Sequence, residues 1–251
     1  MMEMMLRYLK LNLENNFMHY DFENCGSEYV YVFLHGWGLD SSSFDKIISC
    51  INNTSYIKID LFGFGKSDNP SDYFDTYEYA YQVFLLLKSL SINNIVLVGH
   101  SFGGRLAVLL SSIFRINIVK CFLCASAGLN RFSLKKLIKV RMYKFVKWLC
   151  GNGVISCDVL KRFGSDDYKN SSYLLRGVLT RVVVQDLGFC LCNMACNTTL
   201  MWDKKDKATP YWICKKLNKS ISNSNIYILK NGEHFAIFKN VYKVAKIIAN
   251  I

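Results

Sequence analysis

The chain has 251 residues and a formal net charge of +12, with 51% hydrophobic and 20% charged residues. That composition is typical of a globular protein, and the length suffices for one large domain with an insertion. No run reaches about 18 apolar residues, and charged residues interrupt the N-terminal segment, so we predict neither a membrane span nor a signal peptide. The ten cysteines show no zinc-ligand spacing with histidine. We therefore expect a cytoplasmic protein with reduced thiols and no metal.

The first part of the chain alternates short apolar runs with helical patterns. The nearly continuous apolar run at residues 29–34 is typical of a strand that is buried on both faces of a parallel sheet. Asp75 and Glu78 resemble a capping box that opens a helix. The predicted elements are an edge hairpin at residues 6–11 and 17–22, strands at 29–34 and 56–60, and helices at 41–51 and 75–90.

A Gly-x-Ser-x-Gly motif follows the next apolar run, at residues 96–99. The motif is Gly99-His100-Ser101-Phe102-Gly103, and a helical pattern resumes at Arg105. Strand, sharp turn and helix in this order hold a serine hydroxyl exposed, and the glycines avoid a clash where strand and helix nearly touch. We therefore predict that Ser101 is a nucleophile; the alternative is an ordinary glycine-rich loop.

The alternation of strands and helices stops after a predicted strand at residues 118–125. Residues 129–196 show helical patterns without a convincing strand, so we predict a helical cap inserted over the sheet. In its first helix the apolar residues recur at a spacing of three or four: Leu134, Ile138, Met142, Phe145 and Leu149. We expect this stripe to pack on the domain, with the lysines of the helix facing solvent.

The alternation returns after residue 196, with strands at residues 198–202 and 226–229 and helices at 211–217 and 241–248. Strands that alternate with helices predict the α/β class with a mostly parallel, doubly wound sheet. The predicted core comprises residues 1–128 and 197–251, and the cap is inserted before the strand that leads to the candidate acid.

A serine nucleophile needs a base and an acid that orients the base. Of the four histidines, His234 follows the last strand, at the carboxyl edge of the sheet where Ser101 must also lie. Two carboxylates follow the preceding strand. We predict Asp206 as the acid because it lies farther into the loop; Asp203 is the alternative, or otherwise a helix-capping or surface residue.

With these motifs the chain resembles the α/β-hydrolases over its whole length outside the cap. Phe62 and Asp203 depart from the pattern, standing where the family often has proline and glycine. The resemblance implies an oxyanion hole formed by the backbone N–H groups of Trp37 and Phe102. Residues 32–68 are most similar to carboxylesterases that act on pimeloyl-acyl-carrier-protein methyl ester. The matching motifs are His35-Gly36-Trp37-Gly38, Asp60-x-x-Gly63-x-Gly65-x-Ser67, Gly99-x-Ser101-x-Gly103-Gly104, Trp202-x-x-x-Asp206 with Pro210, and Gly232-x-His234.

The resemblance implies a serine hydrolase that cleaves a small or acyl-chain carboxylic ester, or a thioester, through an acyl-enzyme and without a cofactor or metal. A carbon–carbon bond hydrolase acting on dienone ring-cleavage products uses the same fold and the same residues, so the fold does not separate the two. A third hypothesis is a non-catalytic binding protein on the same scaffold.

Positive charge is concentrated in the predicted cap. Between Arg131 and Asp186 there are 12 basic and 4 acidic residues, so this segment carries +8 of the net charge, and seven of the basic residues lie between Arg131 and Lys147. The basic helix is either a solvated surface or a site for an acidic acyl carrier protein or an anionic substrate. We do not expect nucleic-acid binding, because the charges include no aromatic platform.

Overall fold

The computed structural model describes residues 16–51, 53–114, 116–130, 134–156, 158–159 and 165–250, without the side chains of 134–140. The predicted strand at residues 6–11 lies outside these ranges. The second half of the predicted hairpin, at residues 17–22, is present as a strand that begins only at Tyr20. This strand pairs with the strand that contains Ile59, at the edge of the sheet.

The strands in chain order are β1 (Tyr20–Glu23), β2 (Val30–Leu34), β3 (Ser55–Ile59), β4 (Ile95–His100), β5 (Ile118–Cys124), β6 (Asn197–Asp203) and β7 (Ser224–Leu229). They form one sheet in the order β1-β3-β2-β4-β5-β6-β7. β1 is antiparallel to β3, and all other neighbours are parallel. The predicted mostly parallel sheet of the α/β class is therefore confirmed.

The helices are α1 (Asp45–Ile48), α2 (Thr76–Ser89), α3 (Phe102–Ser112), α4 (Leu134–Gly151), α5 (Asp166–Asn170), α6 (Tyr173–Val184), α7 (Tyr211–Ser220), α8 (Ala236–Lys239) and α9 (Val241–Ala249). The predicted capping box of α2 is confirmed. The carboxylate of Asp75 accepts hydrogen bonds from the backbone N–H groups of Tyr77 and Glu78, and the Glu78 carboxylate accepts one from the Asp75 N–H.

Helices cover both faces of the sheet, as a doubly wound fold requires. α2, α3 and α7 lie on one face, where Leu106 and Leu217 are buried. α1, α8 and α9 lie on the other face, where Val244 is buried. Cys121 and Cys124 of β5 point to opposite faces, because side chains alternate along a strand. The sheet therefore separates two apolar cores, and all six residues of β4 are buried between them.

The segment between β5 and β6 contains helices and a 3₁₀ turn at Gly188–Asn193, but no strand in its described residues. α6 packs on the core through Leu175, Val178 and Val182. A Cβ atom on Gly63 would lie 2.5 Å from the Leu175 side chain, so this glycine makes room for α6. The predicted cap is helical where it is described, and its boundaries at 129 and 196 stay a prediction.

The expected packing of the apolar stripe of α4 is wrong at Met142 and Phe145, whereas Leu149 of the same stripe is half-buried. Met142 and Phe145 are 52% and 60% exposed. α4 is turned so that Val146 is half-buried and Cys150 is buried, while the side chains of the first part of the stripe lie outside the described residues. The physical reason is that this helix is apolar on more than one face, so a period of 3.6 residues does not select the buried one.

The described residues contain nine cysteines, all of them free thiols. Burial raises the pKa of Cys214 to about 12 and that of Cys124 even further. The thiols of Cys214 and Cys124 therefore stay protonated at neutral pH and behave as small apolar groups. Within the same ranges, no helix is long and apolar enough to cross a bilayer.

Candidate active site

Ser101 lies in the tight turn between β4 and α3. Its backbone has φ 50° and ψ −105°, a conformation that residues with a Cβ rarely adopt, and its N–H donates to the carbonyl oxygen of Cys124 at 3.0 Å. A Cβ on Gly99 would lie 2.5 Å from the Gly103 carbonyl oxygen, and one on Gly103 would lie 2.0 Å from the Leu34 carbonyl oxygen. Only glycine fits both positions, and the turn presents the serine hydroxyl at the carboxyl edge of the sheet.

His234 reaches the serine from the 3₁₀ turn Glu233–Phe235 that follows β7. Its Nε2 lies 2.9 Å from Ser101 Oγ, and its Nδ1 lies 2.9 Å from Asp206 Oδ2. Because a carboxylate can only accept, Nδ1 carries the proton and Nε2 is free to accept the serine proton. The structure thus brings together the three side chains that the sequence predicted, from three different loops.

The carboxylate of Asp206 is fixed by its own loop, after β6. Its Oδ1 accepts hydrogen bonds from the N–H groups of Ala208 and Thr209, at 2.8 and 2.9 Å, and the Thr209 hydroxyl lies 2.7 Å from Oδ2. Burial opposes ionisation of this carboxyl, but the hydrogen bonds from His234 and Thr209 outweigh burial and hold its pKa below the usual value. Asp206 is therefore an anion beside the histidine ring.

Asp203, the alternative acid, contacts the histidine loop and not the histidine ring. Its side chain is buried, its Oδ1 accepts the N–H of Lys205 at 2.9 Å, and its Oδ2 accepts those of Gly232 and Glu233 at 3.2 and 2.9 Å. The expectation that Asp203 is a helix-capping or surface residue is therefore wrong. Asp203 holds the backbone that carries His234, and the signal for it in the sequence was the carboxylate in place of the glycine common at this position.

Two other histidines, His100 and His35, form hydrogen bonds with the loops around the site. Nε2 of His100 donates to the carbonyl oxygen of His234 at 3.0 Å, so this ring holds the backbone that carries His234. Burial, together with the nearby His234, lowers the pKa of His100 to about 3. Nε2 of His35 accepts the N–H of Leu61 at 3.0 Å, and burial lowers the pKa of His35 as well. Both rings are therefore neutral structural groups.

The predicted oxyanion donors, Trp37 and Phe102, line the same cavity as the serine. Their rings pack edge to face at 5.4 Å, and the Trp37 ring also packs on Phe64 at 4.9 Å. A Cβ on Gly36 would lie 2.7 Å from His100 Nδ1, so the loop before Trp37 can follow this path only with glycine. In the part of the chain that the structure describes, no protein acceptor takes up the backbone N–H of Trp37 or Phe102.

A cavity of about 430 Å³ opens above the serine and the histidine. Its floor comes from the core, and its roof comes from the segment between β5 and β6. The described residues contain no cluster of His, Cys, Asp or Glu side chains that could hold a metal ion. Residues that line the cavity include Trp37, Ser101, Phe102, Leu179, Val182 and His234.

Arg105, one turn after Ser101 in α3, ties this roof to the core. Its Nη2 donates to the carbonyl oxygens of Val182 and Gln185 at 2.5 and 2.6 Å. The side chain of Asn130 donates to the carbonyl oxygens of Val184 and Gln185, at 3.0 and 3.1 Å. Burial lowers the pKa of Arg105 to about 10, so the guanidinium remains charged at neutral pH. The C-terminal end of α6 is therefore held by side-chain donors on its main-chain carbonyls.

Comparison with known proteins agrees with this architecture. The sequence profile of the family described as "alpha/beta hydrolase fold" matches residues 29–152. The chain is 24% identical to the AB hydrolase superfamily protein YisY of Bacillus subtilis in an alignment 250 positions long. The alignment covers 90% of this chain and 92% of that protein. The chain belongs to the α/β-hydrolase superfamily.

Two further similarities concern proteins that are named for ester cleavage. A putative esterase/lipase 2 of Mycoplasma genitalium is 32% identical over 111 residues, which cover 43% of this chain and 41% of that protein. The esterase EaEST of Exiguobacterium antarcticum superposes with a TM-score of 0.71 at 19% identity, covering 94% of this chain and 96% of the esterase. The structural likeness at this identity concerns the fold.

Proposed function

We propose that this α/β hydrolase cleaves carboxylic esters through an acyl-enzyme on Ser101. The observation that carries the proposal is the continuous hydrogen-bonded series from Asp206 through His234 to the Ser101 hydroxyl, with two links of 2.9 Å. The series ends in a cavity whose volume suits a small ester. The names of the two esterase relatives agree with this chemistry.

In the proposed reaction Ser101 Oγ attacks the ester carbonyl carbon while its proton moves to His234 Nε2. The tetrahedral intermediate collapses, the bond to the alkoxy oxygen breaks, and His234 returns the proton to the departing alcohol. A water molecule then gives a proton to His234 and attacks the acyl-enzyme, and the second collapse releases the acid and restores the serine hydroxyl. Asp206 keeps its negative charge throughout and stabilises the imidazolium.

The negative oxygen of each tetrahedral intermediate needs hydrogen-bond donors that are already in place. We assign this role to the backbone N–H groups of Trp37 and Phe102, which have no protein acceptor within the described residues. Loss of one such donor typically costs about 3 kcal/mol of transition-state stabilisation. The glycines that shape both loops leave space for an oxygen to approach these N–H groups.

The direct test is hydrolysis of p-nitrophenyl esters of increasing acyl length, measured beside a dienone ring-cleavage substrate. We expect turnover of the esters, no cleavage of the dienone, and covalent labelling of Ser101 by a fluorophosphonate. Ser101→Ala removes one oxygen and should lose both turnover and labelling without a change in melting temperature. Cleavage of the dienone alone would assign carbon–carbon bond hydrolysis, and failure of both turnover and labelling would leave a binding protein.

A further inference from the structure

Helix α4 presents an unusual face to solvent. Of its described side chains, residues 141–150, only Cys150 is buried. Arg141, Lys144, Phe145 and Trp148 are all exposed, and their spacing of three and four places them within an arc of about 100°. The face opposite this arc points to the rest of the protein. A mixed aromatic and basic surface therefore covers the outer side of α4, so the expectation that the basic charges include no aromatic platform is wrong.

The apolar side chains of this face are large and close together. Phe145 and Trp148 are 60% and 61% exposed, and their rings stack with centroids 6.2 Å apart. Met142, at the edge of the same face, is 52% exposed. Single exposed apolar residues are ordinary, but a group of this size on one helix marks a surface that contacts something other than water.

The charge of the surrounding sequence indicates the charge of the partner that this surface contacts. The sequence contains no Asp or Glu from residue 79 to residue 157, whereas seven Lys and Arg residues lie between 131 and 147. A second copy of the chain would bring like charges together, which disfavours self-association through this face. The occupant must instead be negatively charged and must accept a tryptophan and a phenylalanine.

We propose that α4 lies on the surface of an anionic lipid bilayer, with Phe145 and Trp148 in the headgroup region and the Arg141 and Lys144 side chains on the lipid phosphates. The face is the convex outside of a single helix, and a soft interface can accept such protrusions without a preformed groove. Tryptophan favours the boundary between headgroups and acyl chains. The binding is peripheral, and it does not depend on the reaction proposed above.

The test is co-sedimentation of the full chain with two kinds of vesicle, one of phosphatidylcholine alone and one of equal parts phosphatidylcholine and phosphatidylglycerol. We expect binding to the anionic vesicles only, and weaker binding as salt is added. The emission of Trp148 should shift to the blue on binding. Trp148→Phe keeps an apolar ring, so it should bind while losing this shift.

Charge and aromatic variants separate the two contributions. Arg141→Gln with Lys144→Gln removes the two charges of this face, each worth roughly fivefold in affinity near an anionic surface, so binding should weaken roughly 25-fold. Phe145→Ser with Trp148→Ser should abolish it. The matched control for charge is Lys216→Gln with Lys219→Gln on α7. The control for the aromatic rings is Tyr242→Ser on α9, where the tyrosine is 83% exposed. Both controls should bind like the unaltered chain.

Three results would overturn the proposal. The first is equal binding to both kinds of vesicle, and the second is full binding by the Phe145 and Trp148 variant with an unchanged melting temperature. The third is the absence of binding to the anionic vesicles; if this face then binds an acidic acyl carrier protein, α4 belongs to a protein partner.

Discussion

Replacing Asp203 by asparagine tests the assignment of this buried carboxylate to the histidine loop. Asp203 accepts the N–H groups of Lys205, Gly232 and Glu233. An amide of the same shape has only one oxygen, which can keep the two loop donors, while its NH₂ group faces the third donor. The loop that it holds includes Asn231 and Glu233 at φ 60° and 48°, so it depends on outside contacts for its shape.

The expected loss of stability follows from these three bonds. A hydrogen bond to a charged group contributes about 1.5–3 kcal/mol and a neutral one about 0.5–1.5 kcal/mol. Two bonds weakened by about 1–1.5 kcal/mol each and one lost bond of about 1.5–3 kcal/mol amount to about 3.5–6 kcal/mol in the free energy of unfolding. For a chain of this size each kcal/mol lowers the melting temperature by about 2–4 °C, so Asp203→Asn should lower it by roughly 7–24 °C.

The loss should also depend on pH. Burial opposes ionisation of Asp203, but the backbone N–H groups of Lys205, Glu233 and Gly232 outweigh it and hold the pKa of the carboxyl below its usual value. A carboxyl with a lowered pKa in the folded state stabilises the protein above the unfolded pKa of about 3.9, and this stabilisation disappears as the pH falls through the folded value. The difference between the two proteins should therefore be full at pH 7 and shrink below about pH 4.

Thermal unfolding by circular dichroism measures both effects. The matched control is Asp72→Asn, an exposed carboxylate that, among the described residues, accepts only the N–H of its neighbour Tyr73, and we expect it to change stability by no more than about 0.5 kcal/mol. Equal melting temperatures for Asp203→Asn and the unaltered chain at pH 7 would refute the role given to this carboxylate. So would a difference that grows toward low pH.

Three further predictions concern the acid, the turn and the core. Asp206→Asn should lower kcat of ester hydrolysis by about 10⁴-fold, because the histidine then takes the wrong tautomer; retention of more than a tenth of kcat would exclude Asp206 as the acid. Gly103→Ala should give no folded protein by size-exclusion chromatography, because its Cβ would lie 2.0 Å from the Leu34 carbonyl oxygen in β2. The control Gly151→Ala should fold normally, because a Cβ there has no neighbouring atom within 4 Å. Tyr79→Phe leaves the buried Phe62 carbonyl without its 2.9 Å donor and should cost about 1–3 kcal/mol in urea unfolding with kcat unchanged; an unchanged midpoint would contradict this.

The positions of Ser101 and His234 were predictable because each follows a strand at a motif with few solutions. The glycines around the serine specify the tight turn, and parallel strands deliver their carboxyl ends to one edge of the sheet. The sequence favoured Asp206 over Asp203 only because Asp206 lies farther into the loop, whereas the structure places Asp206 on the His234 ring and Asp203 on the backbone before it. Both lie in one short loop, and which carboxylate meets a ring and which meets a backbone depends on the path of that loop.

The orientation of α4 could not be predicted for a related reason. Its apolar residues form one stripe through Met142 and Phe145 and another through Tyr143, Val146 and Cys150. The periodicity predicts the helix correctly but supports burial of either stripe. The buried side depends on neighbouring segments, which a pattern within one helix does not describe.

Arg105 and Asn130 hold the C-terminal end of α6 in a way that tolerates amino-acid replacements there. Arg105 donates to the main-chain carbonyl oxygens of residues 182 and 185, and Asn130 donates to those of residues 184 and 185. Every amino acid supplies such an oxygen, so mutations at these three positions leave the acceptors in place. Residue 182, which lines the cavity, can thus acquire a new side chain, and with it a new substrate preference, while the bond from Arg105 to its carbonyl oxygen is kept.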